Sequence, residues 1–215
     1  IVSDRHPEIL VKCRLKNLLL IPVGFMLLSC LASNPYNTDN ICLIFEDKRG
    51  WYKAAKAAER SWGIPISVNM AFIFQESSFR ARARPERTRF FWIFPGPRLS
   101  SAFGYAQALD STWSEYRELS GNHSASRSDF DDAIDFVGWY NANSGRLSKI
   151  MASDARNLYF AYHEGNRGYQ RGTYLDKTWL IEAANRVQKN SEKFDRQLHT
   201  CRKKLEKGWF QRLIS

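Results

Sequence analysis

At 215 residues, with 44% hydrophobic and 14% aromatic content, the chain has enough apolar material to bury a sizeable core, which excludes a disordered polypeptide and favours one globular domain with appendages. The formal net charge of +10 and a pI near 9.6 suit an acidic partner, whether nucleic acid, anionic lipid or an anionic polymer, without choosing among them. No CxxC or HExxH spacing occurs and the four histidines are scattered, so neither a structural nor a catalytic zinc is expected.

The chain opens on Ile1 with no methionine ahead of its first basic cluster, and residues 1–10 are expected to be upstream sequence or to follow a non-standard start. Lys12, Arg14 and Lys16 precede an apolar stretch, Leu18 to Leu28, that is too short to span a bilayer comfortably. Residues 1–29 therefore read as a secretion signal. Leu27-Leu28-Ser29-Cys30 resembles a bacterial lipoprotein cleavage box, which makes Cys30 the expected lipidation site and first mature residue. A plain signal peptide, or a buried apolar helix with an incidental cysteine, is the alternative. Leu31 after that cysteine, in place of Asp, points to the outer membrane, so the expected location is periplasmic and lipid-anchored. Cys13 falls in the signal; in an exported chain Cys42 and Cys201 are expected to form a disulfide across the ends of the domain, with two buried free thiols as the alternative.

Residues 30–40 form a polar linker, and the domain occupies 41–203. Within it apolar positions recur at helical spacing and alternating strand-like runs are scarce, so the expected fold class is all-α. A first helix runs from about Lys48 to Trp62 and stops at Gly63. Pro65 opens the next, through Ile66 to Glu76, with Val68, Ala71, Phe72 and Gln75 or Glu76 at 3–4 spacing. Between Phe79 and Phe103, Arg80, Arg82, Arg84, Arg87, Arg89 and Arg98 surround Phe90-Phe91-Trp92-Ile93-Phe94, and Pro85, Pro95 and Pro97 interrupt them. This insertion is an irregular loop or a short hairpin that stacks on sugars, touches a membrane or packs on the domain. Asp110 is expected to cap a helix from Ser111 to Leu119, and Ser128 or Asp129 one through Asp131 to Tyr140. Ser153, followed by Asp154, starts another, whose face of Ala155, Leu158, Tyr159 and Tyr162 ends at Gly165. A long last helix, Asp176 to about Lys203, sets Trp179, Leu180, Ala183, Val187, Phe194, Leu198 and Cys201 on a packing side. Residues 204–215 form a basic amphipathic tail with Trp209, Phe210, Leu213 and Ile214, either lying on an anionic membrane or solvated.

The chemistry centres on Phe74-Gln75-Glu76-Ser77-Ser78-Phe79, which ends an apolar run in a carboxylate whose charge is hard to solvate. A carboxyl so placed stays protonated near neutral pH, the state a general acid needs to break a glycosidic bond. Downstream lie Gly104-Tyr105-Ala106-Gln107 and Ala161-Tyr162-His163-Glu164-Gly165. These segments, in this order on an all-α exported chain, resemble the lytic transglycosylases of the soluble-transglycosylase superfamily, relatives of goose-type lysozyme. Glu76-Ser77 opens the pattern, Gly104 to Gln107 stands for the family's Gly-Leu-Met-Gln, and Ala161-Tyr162-His163 for Ala-Tyr-Asn. A lipoprotein-like branch is the nearest likeness, through Asp129 to Phe136 and Gly138-Trp139-Tyr140, over residues 42–201.

The resemblance implies a lysozyme-like domain, without cofactor or metal, that cleaves the β-1,4 bond between N-acetylmuramic acid and N-acetylglucosamine in peptidoglycan glycan strands and leaves a 1,6-anhydro-muramic end. It makes Glu76 the sole catalytic carboxylate, acid and then base, where most glycosidases use a pair. It places Ser77 near the substrate acetamido group, Gly104 at a close backbone approach, Tyr105, Gln107 and His163 among the substrate contacts, and Tyr162 beside Glu76 or the sugar. His163 departs from the family's Asn, and Tyr105-Ala106 from Leu-Met. For His163 an ordinary hydrogen-bonded histidine stands open beside a ligand, and for Glu164 a charge at a helix end. Three other functions compete: a lysozyme-type hydrolase with Asp110 or Asp129 as second carboxylate, a non-catalytic peptidoglycan-binding or secretion-system scaffold that serves an envelope-spanning assembly, and a nucleic-acid binder. The dispersed basic residues and the export signal argue against the last.

Overall fold

The structure, a computed structural model, describes residues 33–90 and 94–206. Asn40 opens α1 (Ile41–Asp47), its side chain accepting from the amides of Cys42 and Leu43. After Lys48, α2 (Arg49–Trp62) runs to Gly63; Pro65 then leads into α3 (Ile66–Ser77). Strands β1 (Arg87–Phe90) and β2 (Phe94–Arg98) pair antiparallel, with an irregularity between Arg87 and Arg89. The remaining helices are α4 (Asp110–Ser120), α5 (Phe130–Ser148), α6 (Ala155–Gln170) and α7 (Thr178–Glu206). Gly165 breaks α6 with φ 70 and ψ 161.

Every residue of α3 from Ile66 to Ile73 is buried, and a helix apolar on all sides is stable only inside a core. Around it pack α7, α5 and α2, while α6 lies against α5 and α7. α2 is strongly amphipathic and contributes Tyr52, Ala55 and Ala58 to the interior. Its approach to α5 depends on Gly138, where a Cβ would stand 2.8 Å from the Trp62 ring. Trp62 Nε1 donates to Asp135 Oδ1 at 2.7 Å, and Tyr116 donates to the other oxygen at 2.8 Å. Asp135 thereby joins α2, α4 and α5, and gives both aromatic donors their acceptor.

The all-α expectation holds, with the Arg80–Phe103 insertion supplying a two-stranded hairpin. Several local readings shift. α1 was not expected, being too short to show a helical period. Asp110 does not cap α4: it lies inside the first turn and pairs with Arg127 at 2.7 Å, leaving Leu109 at the cap position. Asp129 does cap α5, accepting from the amides of Asp131 and Asp132, and Asp154 rather than Ser153 caps α6. Trp179 is 55% exposed, because it lies one position, about 100° of helix rotation, from the buried stripe of Leu180, Ala183, Val187, Phe194 and Leu198.

Cys42 and Cys201 form the disulfide, with Cα atoms 6.0 Å apart and a sequence separation of 159. It ties α1 to the distal half of α7. Nearby, Glu206 accepts from Tyr52 at 3.1 Å and pairs with Lys56 at 2.5 Å, and Lys204 pairs with Glu46 at 2.7 Å. Among the described residues no helix is long and apolar enough to cross a membrane. The signal segment 1–29, Cys30 and the tail from residue 207 onward lie outside the described residues.

Candidate active site

Glu76 sits in the last turn of α3, and the chain leaves that turn in an unusual way. Ser78 (φ 50) and Phe79 (φ 61) are consecutive non-glycine residues in the left-handed region, a conformation costing roughly 1–3 kcal/mol per residue that persists only where packing enforces it. Phe79 provides the enforcement: it is fully buried, stacked on Phe74 at 5.7 Å and set against Trp51 at 5.9 Å. Arg80 closes the helix end, its backbone amide and Nε both donating to the Ser77 carbonyl. The turn therefore fixes the direction in which Glu76 projects.

The Glu76 side chain keeps partial access to solvent, but its surroundings are apolar and aromatic. Burial pushes its pKa up to about 7, against an opposing pull from a hydrogen bond with Tyr159. No acidic residue contributes to that shift. Tyr159 stands on α6, edge-on to Phe72 at 5.4 Å; burial and then the neighbouring Glu76 charge keep its own hydroxyl protonated, so it is the donor. One turn later Tyr162 packs edge-on to Phe72 at 5.3 Å and to Tyr140 at 5.0 Å. Its hydroxyl donates to the Ala106 carbonyl at 2.6 Å, which ties α6 to the Gly104–Gln107 segment. Burial first, and the Glu76 charge second, raise its pKa well above the ordinary value.

The Gly104–Gln107 segment is held from three sides. Gly104 has φ +81, and a Cβ there would lie 1.9 Å from the Arg127 carbonyl oxygen, so only glycine fits. Its amide donates to Ala83 at 3.0 Å, while the Tyr105 amide donates to Arg127 at 3.1 Å. Gln107, at φ 50, donates from Nε2 to the carbonyls of Ala83 at 3.0 Å and Gly104 at 2.8 Å. With the amide nitrogen so engaged, the acceptor Oε1 is what Gln107 can offer a ligand.

His163 is on the rim. Its side chain is 41% exposed, Nδ1 lies 3.1 Å from Glu164 Oε1, and its ring meets Trp179 edge-on at 4.9 Å. Glu164 is 6% exposed and is held by Lys177 Nζ at 2.7 and 2.8 Å and by the Thr173 hydroxyl. Burial alone would raise its pKa, but the bonds from Lys177, Thr173 and His163 outweigh it and bring the group down to about 2. Glu164 is thus a brace that is charged at neutral pH, where α6 breaks.

The structure brings Glu76, Tyr162 and, through Ala106, the Gly104–Gln107 turn into one cluster. Two expected substrate contacts turn away from it. Ser77 is 1% exposed and gives its hydroxyl to the Ile73 carbonyl at 3.1 Å. Tyr105 is buried, edge-on to Trp51 at 5.7 Å and to Phe130 at 5.6 Å; both side chains serve the fold here. Tyr159 was read as a packing residue, and the signal that could have identified it is its hydroxyl: a buried phenol needs a partner, and this one lies on the Tyr162 face of α6. Asp110 and Asp129 are engaged by Arg127 and by the α5 amides. Among the described residues no group of three or more His, Cys, Asp or Glu is placed to hold a metal ion.

A family model described as "Transglycosylase SLT domain" matches residues 18–201. The match starts inside the apolar segment read as a signal and takes in all three segments of the site. No curated protein and no solved structure matches the chain.

Proposed function

We propose that this chain, which belongs to the transglycosylase SLT domain family, is a peptidoglycan lytic transglycosylase whose single acid and base is Glu76. The carrying observation is a lone carboxyl at the end of the buried helix α3, with Tyr159 and Tyr162 packed on Phe72 one turn before it; burial raises its pKa to about 7 and no acidic residue acts on it. At neutral pH a substantial fraction is protonated. The protonated carboxyl gives its proton to the glycosidic oxygen as the bond from that oxygen to the muramic C1 breaks. The substrate's own 2-acetamido group stabilises the cation at C1. The carboxylate left behind then takes the proton of the muramic C6 hydroxyl as O6 bonds to C1, closing the 1,6-anhydro ring. One proton has moved from O6 to the leaving oxygen, one bond has replaced another, and no water is consumed. Positioned proton transfer of this kind contributes about 10²–10⁴ in rate.

The engagement of Asp110 and Asp129 elsewhere favours this reading over a hydrolase that needs a second carboxylate. Gln107 Oε1 and His163 are the proposed sugar contacts. Export belongs to the same reading: the Cys42–Cys201 disulfide suits an oxidising compartment, and Cys30 is the proposed lipid anchor at the periplasmic face of the outer membrane. Digestion of purified sacculi followed by mass analysis tests it. Products lighter by one water than reducing ends are expected, absent with Glu76→Gln although that variant still binds sacculi. Reducing muramic ends alone would make the protein a hydrolase, and an in-cell phenotype untouched by Glu76→Gln would make it a scaffold.

A further inference from the structure

Trp179 is a large aromatic side chain that the fold leaves 55% exposed, and it is not free to turn at random. Its indole meets the His163 ring edge-on at 4.9 Å. His163 is anchored in turn by Glu164, a carboxylate only 6% exposed and clamped by Lys177. A nearly buried carboxylate, paired with a half-exposed lysine, thus supports an exposed pair of rings. Because α6 breaks at Gly165, this support stands at the end of the helical run that carries Tyr159 and Tyr162, beside Glu76.

Seven residues along α7 from Trp179 is Arg186. That spacing is two helical turns, placing both side chains on one face about 10 Å apart along the axis. Arg186 is exposed and forms no ion pair with an acidic side chain among the described residues. Its guanidinium is near enough to Tyr159 to act electrostatically on that hydroxyl, the group bonded to Glu76. The ring contact of His163 with Trp179, and the place of Arg186 two turns further along the same face of α7, set this stretch of α7 along one wall of the site.

We infer that the α6–α7 rim is a subsite for a peptide-bearing sugar, in which Trp179, steadied by His163, stacks on the pyranose ring and Arg186 pairs with a carboxylate of the attached stem peptide. The inference rests on the peptidoglycan reading above. A pyranose presents a face of C–H groups that an indole covers at little entropic cost. The planar guanidinium matches a carboxylate bidentately, and the substrate's charge answers the basic character of the chain. Trp179 and Arg186 touch neither Glu76 nor the bonds that change, so their effect falls on binding.

The experiment compares Trp179→Ala, Trp179→Phe and Arg186→Gln on two soluble substrates, glycan chains with stem peptides intact and the same chains stripped of them by an amidase. Trp179→Ala is expected to raise KM about 10-fold on both, with kcat within about twofold and the pH limb unmoved, while Trp179→Phe recovers most of the loss. Arg186→Gln is expected to raise KM several-fold on the peptide-bearing chains only, and added salt to shrink the wild-type advantage. Equal kcat/KM for wild type and variants on both substrates would overturn the inference, as would a Trp179→Ala defect that Phe does not rescue. The same substitutions in a Glu76→Gln background, read by co-sedimentation with sacculi, keep the question separate from turnover. Weaker sedimentation supports the subsite even if wild type proves not to be a transglycosylase, and unchanged sedimentation counts against it. Both positions are exposed, and thermal melts matching wild type verify that the variants fold.

Discussion

The hydroxyl of Tyr159 lies near enough to the carboxyl of Glu76, across the α3–α6 boundary, to act on it as a hydrogen-bond donor and lower its pKa, and it opposes the effect of the site around it. Burial drives the carboxyl toward the neutral form; the Tyr159 bond favours the charged one. An acid that must become a base within the same turnover needs both, a pKa high enough to start protonated and a donor ready for the carboxylate that remains.

Removing that donor separates the two effects. Tyr159→Phe keeps the ring against Phe72 and deletes only the hydroxyl, so the Glu76 pKa rises further and the alkaline limb of kcat/KM moves to higher pH than in wild type. Loss of orientation lowers kcat by about 10-fold, less than the roughly 10²–10⁴ that the proton-transfer group itself contributes. A pH–rate profile on purified peptidoglycan reads both; a limb that stays in place or moves down contradicts the assignment of Tyr159 as donor.

The raised pKa of Glu76 also fixes the pH dependence of activity and of stability. In the proposed mechanism the free enzyme must be protonated to begin, so kcat/KM is expected to fall about tenfold per unit above pH 7. For stability, the folded pKa of about 7 exceeds the unfolded value of 4.5, so the folded chain holds the proton more tightly. The contribution of Glu76 is whole below about pH 4.5 and is lost as pH rises to 7, an amount on the order of 3 kcal/mol. Glu76→Gln, neutral at every pH, should therefore be inactive yet more stable than wild type at pH 8, by several degrees in Tm, with the gap closing toward pH 4.5. Parallel melts at the two pH values check it, and a Gln variant less stable at pH 8 would show that the carboxylate is well solvated.

How far this site could be read from sequence depends on the kind of signal each residue leaves. Glu76 was legible because an apolar run ending in a carboxylate implies a desolvated acid whatever the fold, and Gly104 because a glycine in a motif implies a backbone constraint, here the Arg127 carbonyl. The burial of Ser77 and Tyr105 was not legible because adjacency in a motif does not say which way a side chain points. Ser77 is one position, about 100°, around α3 from Glu76, and that turn carries it into the core. Tyr159 was missed because its ring satisfies the helical period and conceals the hydroxyl, whose partner lies on another helix. The same ambiguity placed Trp179 with the packing residues, although helix position alone separates it from Leu180.

Gly104→Ala tests the backbone constraint directly. The new Cβ would meet Arg127 oxygen at 1.9 Å while φ stays at +81, so the segment must move. Destabilisation of at least ~2 kcal/mol is expected, and activity should fall further than stability at a temperature where the variant is still folded, because Ala106 is displaced from the Tyr162 hydroxyl. Urea melts and initial rates on one preparation measure the two losses. Wild-type stability in Gly104→Ala would mean that the chain passes Arg127 with room to spare.

The Cys42–Cys201 bond makes a prediction of the opposite kind, large for stability and small for catalysis. It closes a loop of 159 residues, and loop-closure entropy alone assigns such a link about 5 kcal/mol. Its contacts are with the ends of α1 and α7, not with Glu76, Tyr159 or the Gly104–Gln107 turn. The Cys42→Ser, Cys201→Ser double variant is therefore expected to melt roughly 10 °C or more below wild type while keeping kcat within about twofold below its own transition. Reduction of wild type should lower the melt comparably, since it removes the same constraint without changing a residue. If neither treatment moves the transition, packing of α1 on α7 already holds the ends together, and the covalent link adds little to it.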